Sequence, residues 1–190
     1  KKWTKRYHDP NPRKKAFGAK VVITLKNGKK VIEEQALRAQ MPYVNHRWLG
    51  GMLTNFKTII KRVVYLNELN ALESSGEINA YPKPERLRIR REIDKLTKSI
   101  GGIANMNKLP EAIFIVDLLN ETTALTEASK LDIPIIGLAD SNVDPENVDF
   151  VIPGNDDAIR SIEVVATAIA DACLKGLGKR KEVEDGENQE

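Results

Sequence analysis

The fold class follows from residues 112–139, which read AIFIVDLLNETTALTEASKLDIPIIGLA. Two unbroken apolar runs, 112–116 and 133–139, enclose a segment at 122–131 whose pattern predicts a helix. Each apolar run has the length of a strand and is followed directly by an aspartate. Apolar strands that alternate with helices are typical of a parallel sheet covered on both faces, with right-handed crossovers. Residues 112–139 therefore predict an α/β fold.

The neighbouring sequence extends this pattern in both directions. Downstream, 148–152 predicts another strand and 159–174 another helix. Upstream, 21–25 is a short β-branched run and 31–39 carries apolar residues at helical spacing. The predicted fold is a parallel sheet flanked by helices, of the flavodoxin-like or Rossmann-like kind, with an inserted antiparallel coiled-coil helical hairpin.

The inserted hairpin is predicted by the spacing of apolar residues between 57 and 100. They recur every three or four positions in two stretches, at Ile59, Val63, Leu66 and Leu69 and at Ile89, Ile93, Leu96 and Ile100. The turn-rich segment SSGEINAYPKP at 74–84 separates the two stretches. Two helices with narrow apolar stripes and a short connection are typical of an antiparallel coiled coil.

These patterns divide the chain into four predicted parts. Residues 1–20 lack periodicity, contain two prolines and predict a basic extended arm. The predicted α/β domain comprises 21–56 and 101–176, the coiled-coil hairpin comprises 57–100, and a charged tail comprises 177–190.

Charge is distributed unevenly along the chain, although the net charge is only +3. Residues 1–30 hold eleven Lys or Arg and one acid, whereas residues 111–171 hold thirteen acids and two bases. A basic block of this kind predicts a polyanionic partner, with the acidic block directed elsewhere. The alternative is that the two blocks attract each other within the fold.

The composition argues against several kinds of protein. No apolar run approaches the roughly 18 residues of a transmembrane helix, and the basic start leads into no apolar signal segment. Cys173 is the single cysteine and cannot form a disulfide framework, while the two histidines, His8 and His46, are few for a metal site. We therefore expect a reducing compartment and no bound metal.

An α/β enzyme acting on a phosphorylated small molecule is one alternative function. Ligands of open parallel sheets bind beyond the carboxyl ends of the strands, where Asp117 and Asp140 fall in the predicted pattern. No glycine-rich phosphate loop follows a predicted strand, however. Asp140 begins a sequence typical of a turn, and Asn155 is expected to cap the last helix. Asp117 and Asp140 are therefore expected to be structural.

The segment NHRWLGG at 45–51 has residue types that suit contact with folded RNA. Arg47 offers a planar fork of donors for phosphate or guanine, and Trp48 offers a ring for stacking. The pair Gly50-Gly51 allows close approach of the backbone to a partner. The alternatives are that Trp48 belongs to the core and that the glycines only form a hinge.

Arginines also cluster in the second helix of the predicted hairpin, at positions 86, 88, 90 and 91. They form either a phosphate-binding strip or a solvated face. A coiled-coil protein adaptor, the second alternative function, would dock through the hairpin and would need neither these arginines nor the basic arm.

Three segments of the chain closely resemble one protein family. They are NHRWLGGMLTNF at 45–56, SIGGIANMNKLPEAIFIVD at 99–117 and IPIIGLADSNVDPENVDFVIPGNDDAIRSI at 133–162. In this order they resemble the bacterial and organellar ribosomal protein S-two family, the second protein of the small ribosomal subunit. The resemblance covers about residues 41–176, whereas residues 1–40 match the family poorly.

The resemblance implies a structural constituent of the small ribosomal subunit, not an enzyme, with no cofactor, metal or small-molecule substrate. The implied partners are small-subunit ribosomal RNA, neighbouring small-subunit ribosomal proteins and, where the organism has it, the large mRNA-binding ribosomal protein S-one. The implied location is the ribosome, in the cytoplasm or an organelle matrix, without a membrane. The candidate ribosomal RNA-binding residues are Lys1, Lys2, Lys5, Arg6, Arg13, Lys14, Lys15, Asn45, His46, Arg47, Trp48, Gly50, Gly51, Lys57, Arg86, Arg88, Arg90 and Arg91.

Overall fold

The computed structural model describes residues 21–24 and 29–187. The strands are β1 (Val21–Thr24), β2 (Tyr43–Val44), β3 (Ala112–Ile115), β4 (Ile135–Ala139) and β5 (Phe150–Pro153). The helices are α1 (Lys29–Arg38), α2 (Phe56–Ser74), α3 (Lys83–Ile100), α4 (Thr122–Lys130) and α5 (Ile159–Glu187). The predicted basic arm at 1–20 lies outside the described residues.

The five strands form one sheet in the order β2-β1-β3-β4-β5, and every neighbouring pair is parallel. β3 is buried along its whole length because successive side chains point to opposite faces and both faces are covered. Phe114 packs with residues of α1 and α5, whereas Ile113 and Ile115 pack with Ala124 and Ala128 of α4. The predicted α/β fold, a parallel sheet flanked by helices, is confirmed.

The apolar stripes predicted for α2 and α3 pack against each other. The buried residues of these stripes are Ile59, Val63, Leu66, Leu69, Ile93 and Ile100. Ile89 and Leu96 are partly buried against the same cluster. These residues belong to the same apolar cluster as Ile113 and Ile115 of β3, and this cluster also includes Trp48, Met52 and Ile103. The two helices are therefore anchored in the main core at their base.

α3 ends where the chain passes very close to β2. A short 3₁₀ turn, Gly101–Ile103, follows α3. A Cβ atom on Gly102 would overlap the carbonyl oxygen and the ring of Tyr43 in β2. Only glycine fits this position without a shift of the backbone, so Gly102 permits the close approach between the end of α3 and the sheet.

The segment predicted as a charged tail, 177–190, overlaps the end of α5. The backbone of α5 continues as a helix through Glu187. Lys, Arg and Glu have high helix propensity, and extending an existing helix requires no new nucleus. Among the helices of the described residues, none combines the length and the apolar character needed to cross a membrane.

Candidate nucleic-acid interface

A buried glutamate of α4 holds the loop that joins β2 to α2. Glu127 is 6% exposed and lies opposite the loop backbone. Its Oε1 accepts hydrogen bonds from Trp48 Nε1 at 3.3 Å and from the N–H of Gly51 at 2.6 Å. Its Oε2 accepts from the N–H of Leu53 at 2.9 Å and from the N–H and hydroxyl of Thr54 at 3.0 and 3.1 Å. One carboxylate thus fixes a seven-residue turn of the loop.

The electrostatics of Glu127 fit this role. Burial alone would raise the pKa of its carboxyl, but the N–H groups of Thr54, Leu53 and Gly51 and the indole of Trp48 lower it, and the net pKa is lowered. Hydrogen bonds to the charged form stabilise the carboxylate, which is therefore ionised at neutral pH. Gly51 has φ of 87°, in the left-handed region that glycine adopts without strain.

Glu127 is the residue that the sequence reasoning missed. A signal was present, because Glu127 falls three residues after Ala124 and directly before Ala128, both of which are fully buried. A carboxylate on the inward face of a helix requires donors. The sequence pattern around Glu127, however, does not reveal that these donors belong to residues 48–54.

The structure corrects the expectation that Trp48 is an exposed stacking plate. The side chain is 5% exposed and belongs to the main apolar cluster. Its indole N–H is occupied by Glu127. A buried ring with a satisfied donor presents no face to a base, so the stacking prediction was wrong and the core alternative was right for Trp48.

Asn45 is also engaged within the protein. Its Nδ2 donates to Glu33 Oε2 at 3.0 Å, and the hydroxyl of Tyr43 donates to Glu33 Oε1 at 2.9 Å. Burial and the adjacent Glu33 carboxylate raise the pKa of Tyr43 to about 12. Glu33 of α1 therefore holds the start of the loop as Glu127 holds its end.

Between these two anchors, His46 and Arg47 project from the loop. Both side chains are exposed. Within 21–24 and 29–187, neither side chain forms a hydrogen bond or an ion pair. The expected alternative, in which Arg47 pairs with an acid of the body, finds no support there. Gly50 is exposed, and a Cβ atom added to it would meet nothing within 4 Å.

The arginines of α3 fall into two groups. Arg90 Nε forms an ion pair with Glu73 Oε1 of α2 at 2.9 Å, and Arg86 Nη1 donates to Asn79 Oδ1 at 3.3 Å. Arg88 and Arg91 are exposed, with no side-chain partner in the described part of the chain. Arg90 therefore joins α3 to α2 and Arg86 joins α3 to the connection between them, which leaves Arg88 and Arg91 available to a partner.

The other predicted cations are Lys57 and the basic residues of the arm. Lys57 is exposed in the first turn of α2. The arm residues Lys1, Lys2, Lys5, Arg6, Arg13, Lys14 and Lys15 lie outside the described residues.

The carboxyl ends of β3 and β4 are followed by aspartates that take part in turns. Asp117 is 6% exposed, has φ of 61° and accepts hydrogen bonds from the backbone and side chain of Asn120. Asp140 Oδ1 accepts from the N–H of Ser141 at 2.6 Å. Both aspartates therefore take part in the turns that follow their strands, as expected from the sequence.

Asp156, which lies just before α5 and is buried, adds a third carboxylate near Asp117 and Asp140. Burial and the negative charges of Asp117, Asp140 and Asp157 raise the pKa of Asp156. Asn155 Oδ1 accepts from the N–H groups of Asp157 and Ala158, so it orders the turn directly before α5, which begins at Ile159 and not beside Asn155 as the capping prediction implied. Carboxylates at the start of a helix repel phosphate. No group of three His, Cys, Asp or Glu within the described ranges is arranged to hold a metal ion.

Comparison with known proteins defines the class to which this fold and loop belong. The profile of the family described as Ribosomal protein S2 matches residues 16–176. The chain therefore belongs to the ribosomal protein S2 family. The match begins at residue 16, so it includes β1 and α1, and the expectation that 1–40 matches poorly was wrong from that residue onward.

Individual relatives carry the name small ribosomal subunit protein uS2. The chain is 55% identical over 148 residues to that of Hahella chejuensis, covering 78% of this chain and 58% of the relative. It is 51% identical over 154 residues to that of Marinobacter nauticus, and this alignment covers 81% of this chain and 62% of the relative. It is 49% identical over 164 residues to that of Chlorobaculum parvum, and this alignment covers 86% of this chain and 65% of the relative. The aligned part thus spans about three-fifths of these relatives.

Proposed function

We propose that this chain is a structural constituent of the small ribosomal subunit, which binds ribosomal RNA and neighbouring ribosomal proteins during assembly and translation. The observation that carries the proposal is the family match, which extends from residue 16 to 176 and so includes every strand of the sheet and both α2 and α3. This family of ribosomal proteins is structural, which favours a binding role over catalysis. The carboxylates at the strand ends, which the enzyme alternative would require, are engaged in turns.

The domain division follows the same proposal. The strand order β2-β1-β3-β4-β5 agrees with a flavodoxin-like domain built from 21–56 and 101–176. α2 and α3 would form a coiled-coil hairpin at 57–100, and the facing apolar stripes support this. The basic arm at 1–20 would add non-specific attraction to phosphates.

The proposed RNA contacts are exposed polar or basic side chains that have no partner within the described residues. In the loop these are His46 and Arg47, with the bare backbone of Gly50 beside them. Arg47 offers a planar donor fork for a phosphate oxygen pair. Glu127 and Glu33 support this role because they fix the loop on both sides of the two exposed side chains. A rigid loop loses little conformational entropy when it binds.

The proposed protein partners bind the acidic part of the chain. Residues 111–171 carry thirteen acids and two bases, which suits a basic protein neighbour better than RNA. Neighbouring small-subunit proteins and, where present, the ribosomal protein S-one are the proposed partners. The proposed location is the ribosome, in the cytoplasm or in an organelle matrix.

Co-sedimentation with small ribosomal subunits that lack this protein tests the proposal. The full chain is expected to sediment with the subunits, and its binding is expected to weaken as KCl is raised. A chain that stays in the supernatant in the presence of subunits but binds an isolated protein would favour the adaptor alternative. Saturable nucleotide binding that Asp140→Asn abolishes would favour the enzyme alternative.

A further inference from the structure

The outer face of α3 carries a line of four cations. Arg88, Arg91, Lys95 and Lys98 are spaced by three, four and three residues, and all four side chains are exposed. At 100° per residue and 1.5 Å rise, this spacing places them within an arc of about 80° and over about 15 Å of helix. We call these four residues the α3 stripe.

The α3 stripe faces away from α2. The apolar residues that pack on α2, among them Ile93 and Ile100, point about 150° away from the stripe by the same helical geometry. No side chain of the stripe has a hydrogen bond or an ion pair anywhere in the described part of the chain. The acids of the helix that lie nearest, Glu92 and Asp94, border the stripe on opposite sides and interrupt none of its positions.

This arrangement differs from the arginine cluster that the sequence suggested. Arg86 and Arg90 look equivalent to Arg88 and Arg91 along the chain, but they are turned toward Asn79 and Glu73. On the face of α3 that points away from α2, the cations beside Arg88 and Arg91 are Lys95 and Lys98. Seven cations and three anions occur in α3 as a whole, and the helical period sorts four of the cations onto one line.

We propose that the α3 stripe binds the sugar-phosphate backbone of RNA without reading its sequence. Arg offers a bidentate fork to phosphate and Lys a point charge, whereas base readout needs amides or stacking rings, which the stripe lacks. A protein partner is less suited, because protein interfaces have an apolar centre and the stripe positions are all charged. This inference rests on the proposed function, since it assumes that RNA is the partner.

Two full-length variants with equal charge loss test the inference. The stripe variant carries Arg88→Gln, Arg91→Gln, Lys95→Gln and Lys98→Gln. The control variant carries Lys108→Gln, Lys130→Gln, Arg160→Gln and Lys175→Gln, all at exposed positions of the α/β part. Gln keeps helix propensity, so circular dichroism should match that of the wild type in both. Filter binding to small-subunit ribosomal RNA transcribed in vitro is measured from 50 to 200 mM KCl.

Four phosphate contacts contribute about 3 to the slope of log K against log salt, at roughly 0.7–0.9 per contact. Over this fourfold range, the wild type should therefore lose roughly 50- to 150-fold more affinity than the stripe variant. The control variant should keep a slope close to that of the wild type. If the stripe variant folds poorly, Arg91→Gln with Lys95→Gln should give about half the change in slope.

Three outcomes would contradict the proposals, and they can be told apart. A stripe variant with the wild-type slope would overturn the inference and leave the proposed function intact. Equal flattening of the slope in both variants would show that net charge matters and not the stripe. A wild-type chain that binds no ribosomal RNA at any salt concentration would overturn the proposed function itself.

Discussion

Replacing Glu127 by Gln tests how strongly one carboxylate organises the loop between β2 and α2. The side chain keeps its size, but one acceptor oxygen becomes an NH₂ group. If the remaining oxygen faces Leu53 and Thr54, the NH₂ group opposes Trp48 Nε1 and the N–H of Gly51. An unsatisfied buried donor costs about 1–3 kcal/mol, and hydrogen bonds to a neutral acceptor are weaker than those to a charged one. We expect Glu127→Gln to lower the free energy of unfolding by about 2–4 kcal/mol.

The effect of Glu127→Gln should depend on pH in a definite direction. The pKa of Glu127 is lowered in the folded protein from the reference value of 4.5. The stability that its charge contributes is therefore fully present above pH 4.5 and is lost as the pH falls through the lower folded pKa. The difference in unfolding free energy between the wild type and Glu127→Gln should be constant near neutral pH and should shrink in acid.

Urea denaturation gives the free energy of unfolding, and amide hydrogen exchange locates the change. Exchange at Gly51, Leu53 and Thr54 should accelerate more than exchange in β3, because the lost acceptors lie at the loop. Glu163→Gln on the exposed face of α5 is the matched control and should change stability by no more than about 0.5 kcal/mol. If Glu127→Gln and Glu163→Gln were equally stable and exchanged alike, the proposed anchoring role of Glu127 would be wrong.

Substitutions at three further residues probe the loop, the helical pair and its base. Arg47→Ala should weaken binding to small subunits by about 1–3 kcal/mol and Arg47→Lys by less; the melting temperature of the free protein should not change, and a lowered one would indicate an internal role. Ile93→Asp places an unpaired carboxylate between α2 and α3 and should cost several kcal/mol; an undiminished helical signal in circular dichroism would contradict this packing. Gly102→Ala should destabilise the protein in urea, because its Cβ overlaps the carbonyl of Tyr43; wild-type stability would show that the backbone adjusts freely.

Much of the architecture can be predicted from the sequence because strands and helices leave local periodic patterns. The unbroken apolar run at 112–116 predicts a strand buried on both faces, and β3 is such a strand. The apolar stripes at 59–69 and 89–100 predict which faces of α2 and α3 pack together. The period of a helix or strand is set by its own backbone, so neighbouring residues are sufficient to reveal it.

The state of each polar residue, in contrast, was decided by the tertiary structure. Trp48 and Arg47 are adjacent in the chain, yet Trp48 is buried in the apolar cluster and bonded to Glu127, 79 positions away, whereas Arg47 is exposed. Arg90 and Arg91 are also adjacent and both exposed, yet only Arg90 forms an ion pair within the described residues, with Glu73. The sequence by itself determines only which residue types occur in the loop and in α3. Whether each donor is satisfied internally or left for a partner depends on acceptors brought close by folding, which no local pattern records.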